Sequence, residues 1–256
     1  MKKFIPNGIT LLNLLCGTIA VILAVQGNLI ATAFFVFAGI FFDFFDGLSA
    51  RLLNAQSELG LQLDSLADMV TSGVVPGIVM FQLFNLSAGS YTWGVPETNS
   101  LVAFEGFHLM PLSILGLLIT LGSAYRLANF NIDDEQTTSF IGLPTPANAL
   151  FILSLPLILH FQETTFLHTL ILNKWFLIGV TLVSTYMLNA RIPLFALKFK
   201  TWGFKENSVR YVFLILCAVL LLLLQFIAIP LIIVIYVLLS VGMSFQQKAN
   251  VTSKKD

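Results

Sequence analysis

The 256-residue chain is 57% hydrophobic and only 10% charged, and its formal net charge is zero. Soluble domains carry about a quarter charged residues, so this chain has too few polar side chains to cover a water-facing surface. The balanced charge predicts no nucleic-acid partner, and the two cysteines lie in apolar runs that predict no disulfide framework. We therefore expect an all-α integral membrane protein whose surroundings are the lipid bilayer.

Apolar segments long enough to cross a bilayer recur along the whole chain. A crossing helix needs about 20 mostly apolar residues. The pattern predicts one membrane-embedded domain, residues 1–256, with about eight transmembrane helices. The eight segments are 9–26, 30–53, 62–86, 109–128, 147–162, 170–190, 209–227 and 230–246.

The positive charges fall almost entirely at one set of helix ends. With the N-terminus in the cytoplasm, every lysine and arginine of the chain lies at a cytoplasmic end or loop except Lys174. The connection at 87–107, which this topology places outside, contains neither residue type. The bias predicts an even number of crossings of the cell (inner) membrane. It also predicts that both termini, the polar tail 247–256 and the active site are cytoplasmic.

Four aspartates lie in two consecutive segments, the predicted catalytic hairpin 30–86. Asp43 and Asp46 are three residues apart and share one helix face. Asp64 and Asp68, four residues apart, share a face of the next helix. Because a polar turn makes the two helices antiparallel, we expect the four carboxylates to meet near the cytoplasmic interface.

Carboxylates inside a membrane are costly unless they are neutralised, and only Arg51 lies among these four. The remaining charge predicts a hard divalent cation with oxygen ligands, Mg²⁺ or Mn²⁺, with Ca²⁺ as the alternative. No histidine or cysteine lies in the cluster, which argues against zinc. Two other interpretations are an ion-paired structural hairpin and a cation transporter. A transporter is expected to place its site between two interrupted helices of a repeated fold, whereas these acids share one hairpin.

The acids also belong to a longer pattern, D-x2-D-G-x2-A-R-x8-G-x3-D-x3-D, which the chain fits at every fixed position. The positions are Asp43, Asp46, Gly47, Ala50, Arg51, Gly60, Asp64 and Asp68. This pattern resembles the signature of the CDP-alcohol phosphotransferase family, and the many-helix layout agrees with that family's membrane bundle.

The resemblance implies particular roles for these residues. Asp43, Asp46 and Asp64 are implied to hold the metal, and Asp68 is implied to lie near it and to act as general base. The positions implied to line the CDP moiety are Gly47, Ala50, Arg51 and Gly60. Arg51 alternatively marks only the inner edge of the membrane. The resemblance further implies a homodimer.

Three stretches carry a narrower resemblance, to the phosphatidylserine synthases within that family. They are IPNGITLLNLLCG at 5–17, SAYRLANFN at 123–131 and FIGLPTPANA at 140–149. The first implies that Asn7 and Thr10 lie close to the cytidine, although Asn7 alternatively caps the first helix. The second implies that Arg126, Asn129 and Asn131 serve the acceptor. The chain departs from the pattern at Asn129, where relatives often carry arginine.

This narrower resemblance implies transfer of a phosphatidyl group from CDP-diacylglycerol to L-serine, with phosphatidylserine and CMP as products. The alternative within the family is another acceptor, glycerol 3-phosphate or an inositol phosphate. Such an acceptor carries a phosphate dianion that needs several cationic donors, whereas serine needs about one arginine and a few neutral groups. Arg126 alternatively serves only as an anchor at the membrane edge.

Overall fold

The computed structural model describes residues 4–89, 111–132, 140–162, 164–194, 203 and 207–252 of the chain. Most of the predicted 87–107 connection and the last four residues of the predicted tail lie outside these ranges. Apart from turns and one short strand pair, the described part of the chain is helical, as an all-α protein requires.

Helices α1 (Phe4–Val25) and α2 (Leu29–Leu52) form an antiparallel hairpin. The chain reverses at Gly27, whose φ of 79° lies in the left-handed region that glycine adopts without strain. The Asn28 side chain then caps α2 by accepting a hydrogen bond from the Ala31 amide at 3.2 Å. Small buried residues let the two backbones approach closely. They are Cys16, Gly17, Ala20 and Ala24 on α1 and Thr32, Ala33 and Gly39 on α2.

The third apolar segment is one 30-residue helical stretch with a π-helical turn inside it. Helix α3 (Glu58–Asp68) passes through the turn Met69–Val74 into α4 (Val75–Ser87). The Ser57 hydroxyl caps α3 by accepting from the Gly60 amide at 3.1 Å. The π-helical turn begins directly after Asp68, and such turns are frequent at functional sites.

The remaining elements follow in chain order. A 3₁₀ turn, Ser113–Leu117, leads into α5 (Leu118–Ile132), and the later helices are α6 (Thr145–Phe161), α7 (Thr165–Ile171), α8 (Lys174–Asn189), α9 (Ser208–Leu224) and α10 (Ala228–Thr252). Helices α7 and α8 are bent by 61° at their junction. Strands β1 (Phe140–Ile141) and β2 (Pro193–Leu194) pair in antiparallel register and join the start of α6 to the end of α8. The sequence analysis did not predict this ladder.

Helices α9 and α10 fold back on each other. A 3₁₀ turn, Gln225–Ile227, separates them, and Gln225 has a φ of 49°. The rings of Phe213 and Tyr236 lie 5.9 Å apart between their centroids. Two residues 23 positions apart on one straight helix would be separated by about 34 Å, so the chain must reverse at Gln225. The chain is thus divided into two helices here, as the predicted segments 209–227 and 230–246 require, with the break at Gln225–Ile227.

The predicted number of crossings is a separate question. Within the described ranges, five helical segments are long and apolar enough to cross a membrane, or six if the bent α7–α8 pair is one span. They are Phe4–Val25, Leu29–Leu52, Glu58–Ser87, Ser113–Ile132 and Arg210–Met243, the last of which contains the reversal between α9 and α10. Helix α6 is apolar but has only 17 residues. All eight predicted segments overlap helices, yet a count of eight crossings is not confirmed and stays a prediction.

The apolar core occupies the end of the bundle away from the aspartates. It is formed by the second half of α1, the first half of α2, α4 and α6, and its largest fully buried side chains include Met80, Phe84 and Ile152. Large apolar side chains also cover the outer surface, for example Leu222, which is 83% exposed. An exposed apolar surface of this extent suits lipid and not water. The chain is a multi-pass membrane protein.

Candidate active site at the aspartate cluster

Three carboxylates converge at the end of the bundle opposite the core. Asp43 and Asp46 of α2 face Asp64 of α3, and one oxygen from each lies within 4.8 Å of the others. Oxygens around a Mg²⁺ or Ca²⁺ ion lie 2.0–2.6 Å from it, so three oxygens this close fit a single cation. The donor set contains only oxygen, as a hard cation prefers. The cluster could therefore hold a divalent metal ion.

Asp68 lies beside this group but is not one of the three. It is only 9% exposed, and the charges of Asp43 and Asp64 act on it. Its Oδ1 accepts a hydrogen bond from Nδ2 of Asn13, at 3.4 Å. Its role near the metal and as a base stays a prediction. The position is suitable for a general base, because a carboxylate next to the metal site is close to the substrate whose proton it would take.

Asn13 is a residue that the sequence analysis missed. It is completely buried on α1, and a Cβ added at Gly39 would lie 2.9 Å from its Oδ1. A glycine on α2 therefore makes the room in which Asn13 reaches Asp68. Buried polar residues in membrane helices commonly mark functional sites, and that signal was present in the sequence.

Thr10 on α1 contacts the cluster directly. Its hydroxyl donates to Oδ2 of Asp46 at 2.5 Å and lies 3.1 Å from the carbonyl oxygen of Pro6. A hydroxyl donated to a ligating carboxylate fixes the direction of the oxygen that remains free for the metal. The structure thus gives Thr10 a contact that the resemblance to relatives did not include.

The Thr10 contact leads to a prediction about metal affinity. Thr10→Val keeps the shape of the side chain but removes the donor, and we expect it to raise the divalent-ion concentration for half-maximal activity about 10–100-fold. Thr10→Ser keeps the hydroxyl and is expected to change that concentration less than about threefold. Metal titrations of the three proteins in one detergent measure this. Equal half-maximal concentrations for the valine and serine variants would contradict the role of the hydroxyl.

The residues predicted to line the CDP moiety share one cavity. A cavity of 650 Å³ opens beside Asp46 and Asp64 between α1, α2 and α3. Its lining includes Asn7, Thr10, Gly47, Ala50, Arg51 and Gly60. This volume suits a small-molecule ligand. Nε of Arg51 donates a hydrogen bond to the carbonyl oxygen of Gly47, at 3.0 Å. In the described part of the chain Arg51 therefore does not neutralise the aspartates, and their charge remains available to a metal cation.

Asn7 lies inside helix α1, because the helix already includes Phe4. The alternative that Asn7 caps the helix is therefore wrong. A Cβ added at Gly60 would lie 3.3 Å from Oδ1 of Asn7. Glycine at position 60 thus keeps the gap open where α1 and α3 approach each other across the cavity.

A second cavity, of 590 Å³, is lined by α5 and α8. Its lining includes Arg126, Asn129, Asn189 and Arg191, and Phe130 lines both this cavity and the first. Arg126 is 9% exposed, its Nε has no hydrogen-bond partner among the described residues, and its charge acts on Asp68. Two arginines thus lie in one cavity, and one of them interacts with an aspartate of the site. The sequence analysis did not include Asn189.

Asn131 does not line this cavity among the described residues. Its Oδ1 accepts from the Ser65 hydroxyl at 2.9 Å, and its Nδ2 donates to the Gln62 side chain at 3.3 Å. These contacts tie the end of α5 to α3. The observed contacts of Asn131 thus hold α3 in place and do not bring its side chain to the expected acceptor side. The physical reason is helix direction: two residues beyond Asn129, Asn131 faces the opposite side of α5.

Two ligand-sized cavities share Phe130, and the first is lined by Asp46 and Asp64 of the acidic cluster. This arrangement inside a helical membrane protein is typical of an enzyme that acts on two substrates. Residues 3–187, which are 185 of the 256, match the CDP-alcohol phosphatidyltransferase family. The chain belongs to this family.

Individual relatives of the chain carry the name of one particular enzyme. A Bacillus subtilis protein named CDP-diacylglycerol–serine O-phosphatidyltransferase is 38% identical over 144 residues, which cover 56% of this chain and 70% of the relative. A Helicobacter pylori protein of the same name is 29% identical over 214 residues, 82% of this chain and 79% of the relative. A Methanocaldococcus jannaschii protein, also so named, is 30% identical over 148 residues, 58% of each chain.

Proposed function

We propose that this protein transfers the phosphatidyl group of CDP-diacylglycerol to the hydroxyl of L-serine and releases CMP. The observation that carries the proposal is the aspartate cluster at one cavity, with a second, arginine-bearing cavity next to it that shares Phe130. One cavity offers small residues and Arg51 to a nucleotide, and the other offers Arg126, Asn129 and Asn189 to an amino acid. The names of the relatives support serine as the acceptor.

The reaction needs one bond made and one broken at the same phosphorus. The serine oxygen attacks the phosphorus that carries the diacylglycerol oxygen, and the bond from that phosphorus to the CMP oxygen breaks. Asp68 takes the proton of the serine hydroxyl, and CMP departs with the electron pair of the broken bond. Asp68 is buried, and it interacts with the charge of Arg126, which lines the second cavity, so the proposal places the base next to the acceptor.

Asp43, Asp46 and Asp64 would hold the divalent ion, Mg²⁺ or Mn²⁺, with Ca²⁺ as the alternative. When bound, such an ion neutralises phosphoryl oxygens and stabilises the charge that develops on the leaving group. Arg51 at the rim of the nucleotide cavity adds a second positive charge for the diphosphate.

Serine is favoured over phosphate-bearing acceptors by the charges in the second cavity. Serine needs one cation for its carboxylate, which Arg126 supplies. Its ammonium group needs neutral oxygens, which the side-chain amides of Asn129 and Asn189 supply. Arg191 is a second cation in the same cavity, so a phosphate acceptor is the alternative outcome of the test.

A competition assay tests the acceptor. L-serine, glycerol 3-phosphate, inositol 1-phosphate and myo-inositol are offered together with CDP-diacylglycerol and Mg²⁺ or Mn²⁺, and the lipid products are identified by mass. Phosphatidylserine is expected to dominate. Arg126→Ala is expected to raise the KM for serine about tenfold or more and that for CDP-diacylglycerol less, because a buried charged hydrogen bond is lost. A major product from another acceptor would refute serine and leave the family unaffected.

The orientation is part of the proposal. The lysine and arginine distribution supports an inner-membrane protein with the aspartate cluster on the cytoplasmic side. In a Cys16→Ser, Cys217→Ser background, we expect Ala88→Cys at the end of α4 to react with an impermeant thiol reagent in intact cells. Gln56→Cys, in the turn beside the nucleotide cavity, is expected to react only after the membrane is opened. The reverse pattern would overturn the orientation. The homodimer implied by the family remains a proposal.

A further inference from the structure

A third cavity is lined by residues of α6, α8 and α10. It is a groove of 440 Å³ between α8 and α10 with α6 at its floor. Among the described residues, none that lines it also lines either active-site cavity. The space beside Gly179 is open, because a Cβ added there would meet nothing within 4 Å. The groove is therefore a separate site in the molecule.

One polar side chain at the groove has no partner in the described part of the chain. Asn148 lies on the α6 side of the groove and is 0% exposed, and neither its Oδ1 nor its Nδ2 has a hydrogen bond to a described residue. Leaving a buried amide unpaired is costly, and the large majority of such groups in native proteins are satisfied. A ligand that supplies a hydrogen-bond acceptor to Nδ2 would remove much of this cost. The buried Ser184 lies in the same lining.

The groove is polar at one end and apolar along its length. Asn148, near the start of α6, and Ser184, near the end of α8, lie at the end of the bundle that holds the aspartates. From Met187 back to Phe176 the lining follows α8 for eleven residues, about 16 Å. This is about half of the ~30 Å hydrocarbon core, the thickness of one leaflet.

We propose that this groove binds a glycerophospholipid of the surrounding bilayer, distinct from the lipid substrate. One acyl chain lies along α8 and α10, and its ester carbonyl accepts a hydrogen bond from Nδ2 of Asn148. A leaflet-long apolar groove with one amide at its polar end matches an ester-linked chain. A packed helix from a second copy matches less well, because its backbone carbonyls are already paired and only a polar side chain opposite Asn148 could supply an acceptor.

Two variants and a control test the site on the full-length protein in mild detergent. Gly179→Leu fills the groove, and Asn148→Ala removes the amide. Gly242→Leu is the matched control, since Gly242 is also an open position on a helix, outside the groove lining. Phospholipid bound per chain is measured by mass spectrometry, together with the rise in melting temperature on adding dioleoyl phosphatidylglycerol or its diether analogue.

We expect Gly179→Leu to lower bound phospholipid at least about fivefold and to abolish the rise in melting temperature, while Gly242→Leu matches the unaltered protein. The unaltered protein should bind the diester about three- to tenfold more tightly than the diether, the effect of one hydrogen bond. In Asn148→Ala that preference should disappear. These measurements need no CDP-lipid, so they stand or fail independently of the proposed reaction.

Three outcomes would overturn the proposal. The first is equal lipid binding in Gly179→Leu and Gly242→Leu. The second is an equal preference for the diester lipid in the unaltered protein and in Asn148→Ala, which would indicate that the amide binds an internal water and not the lipid. The third is a change of Gly179→Leu from dimer to monomer with unchanged lipid content, which would make the groove an interface between copies of the chain.

Discussion

Asp43→Asn, Asp46→Asn and Asp64→Asn should each lower turnover by about 10³-fold or more and abolish its dependence on divalent ions. One oxygen from each of the three carboxylates lies within 4.8 Å of the others, so each substitution removes one of the three negative charges that would hold the ion. The stabilisation that such an ion gives to phosphoryl oxygens is worth several kcal/mol, and each 1.36 kcal/mol is a factor of ten in rate. CMP release is measured across a Mg²⁺ and Mn²⁺ series for each variant.

Glu58→Gln provides the control for these variants. Glu58 also lines the nucleotide cavity and carries the same charge, but it is exposed and outside the three-carboxylate group. Its replacement should leave the metal dependence unchanged. If Glu58→Gln matched the aspartate variants, the effect would come from the general negative potential of the cavity. If Asp43→Asn kept its turnover and its metal dependence, the metal site would be placed wrongly.

Asp68→Asn is expected to bind CDP-diacylglycerol normally and to lower kcat by about 10²–10⁴-fold, the usual contribution of a general base. Asparagine keeps the size of the side chain but cannot take the serine proton. Asp68 lies next to the metal group and within reach of the charge on Arg126, so its loss should act on the acceptor step. The measurements are single-turnover CMP formation and equilibrium binding of the CDP-lipid.

Ser65→Ala is a suitable comparison for Asp68→Asn. Ser65 lies on the same helix, and its hydroxyl donates to Asn131, so its loss should disturb the attachment of α5 to α3 without removing a base. We expect less than about threefold loss of kcat. Near-native turnover of Asp68→Asn would show that another group, or water, accepts the proton. Loss of CDP-lipid binding in Asp68→Asn would instead make Asp68 a ligand-binding residue.

The site could be predicted where a helix sets the geometry. Residues three or four positions apart on one helix must share a face, so Asp43 with Asp46 and Asp64 with Asp68 followed from spacing alone. A short polar turn then left only an antiparallel arrangement for the two helices. The positions of Gly47 and Gly60 in one cavity follow from the same two facts.

Contacts between distant segments could not be predicted in this way. The bonds from Thr10 to Asp46 and from Asn13 to Asp68 join residues 36 and 55 positions apart, and they depend on how α1 packs against α2 and α3. Asn131 is a second example of a contact that could not be predicted. Asn129 lines the second cavity, whereas Asn131, two residues later, accepts a hydrogen bond from Ser65 of α3. Hydropathy alone also does not determine how many helices cross the membrane, since α6 is short and α7–α8 is bent.

The most direct test of the proposed function is a reaction with three components and purified protein in detergent. CDP-diacylglycerol and L-serine are supplied with Mg²⁺ or Mn²⁺, and CMP and phosphatidylserine are measured together. The expected result is equal amounts of the two products, with both lost when serine is omitted or when the divalent ion is removed by a chelator and both restored by adding the ion back. No CMP under any of these conditions, or full activity in the chelator, would contradict a metal-assisted phosphatidyl transfer by this protein.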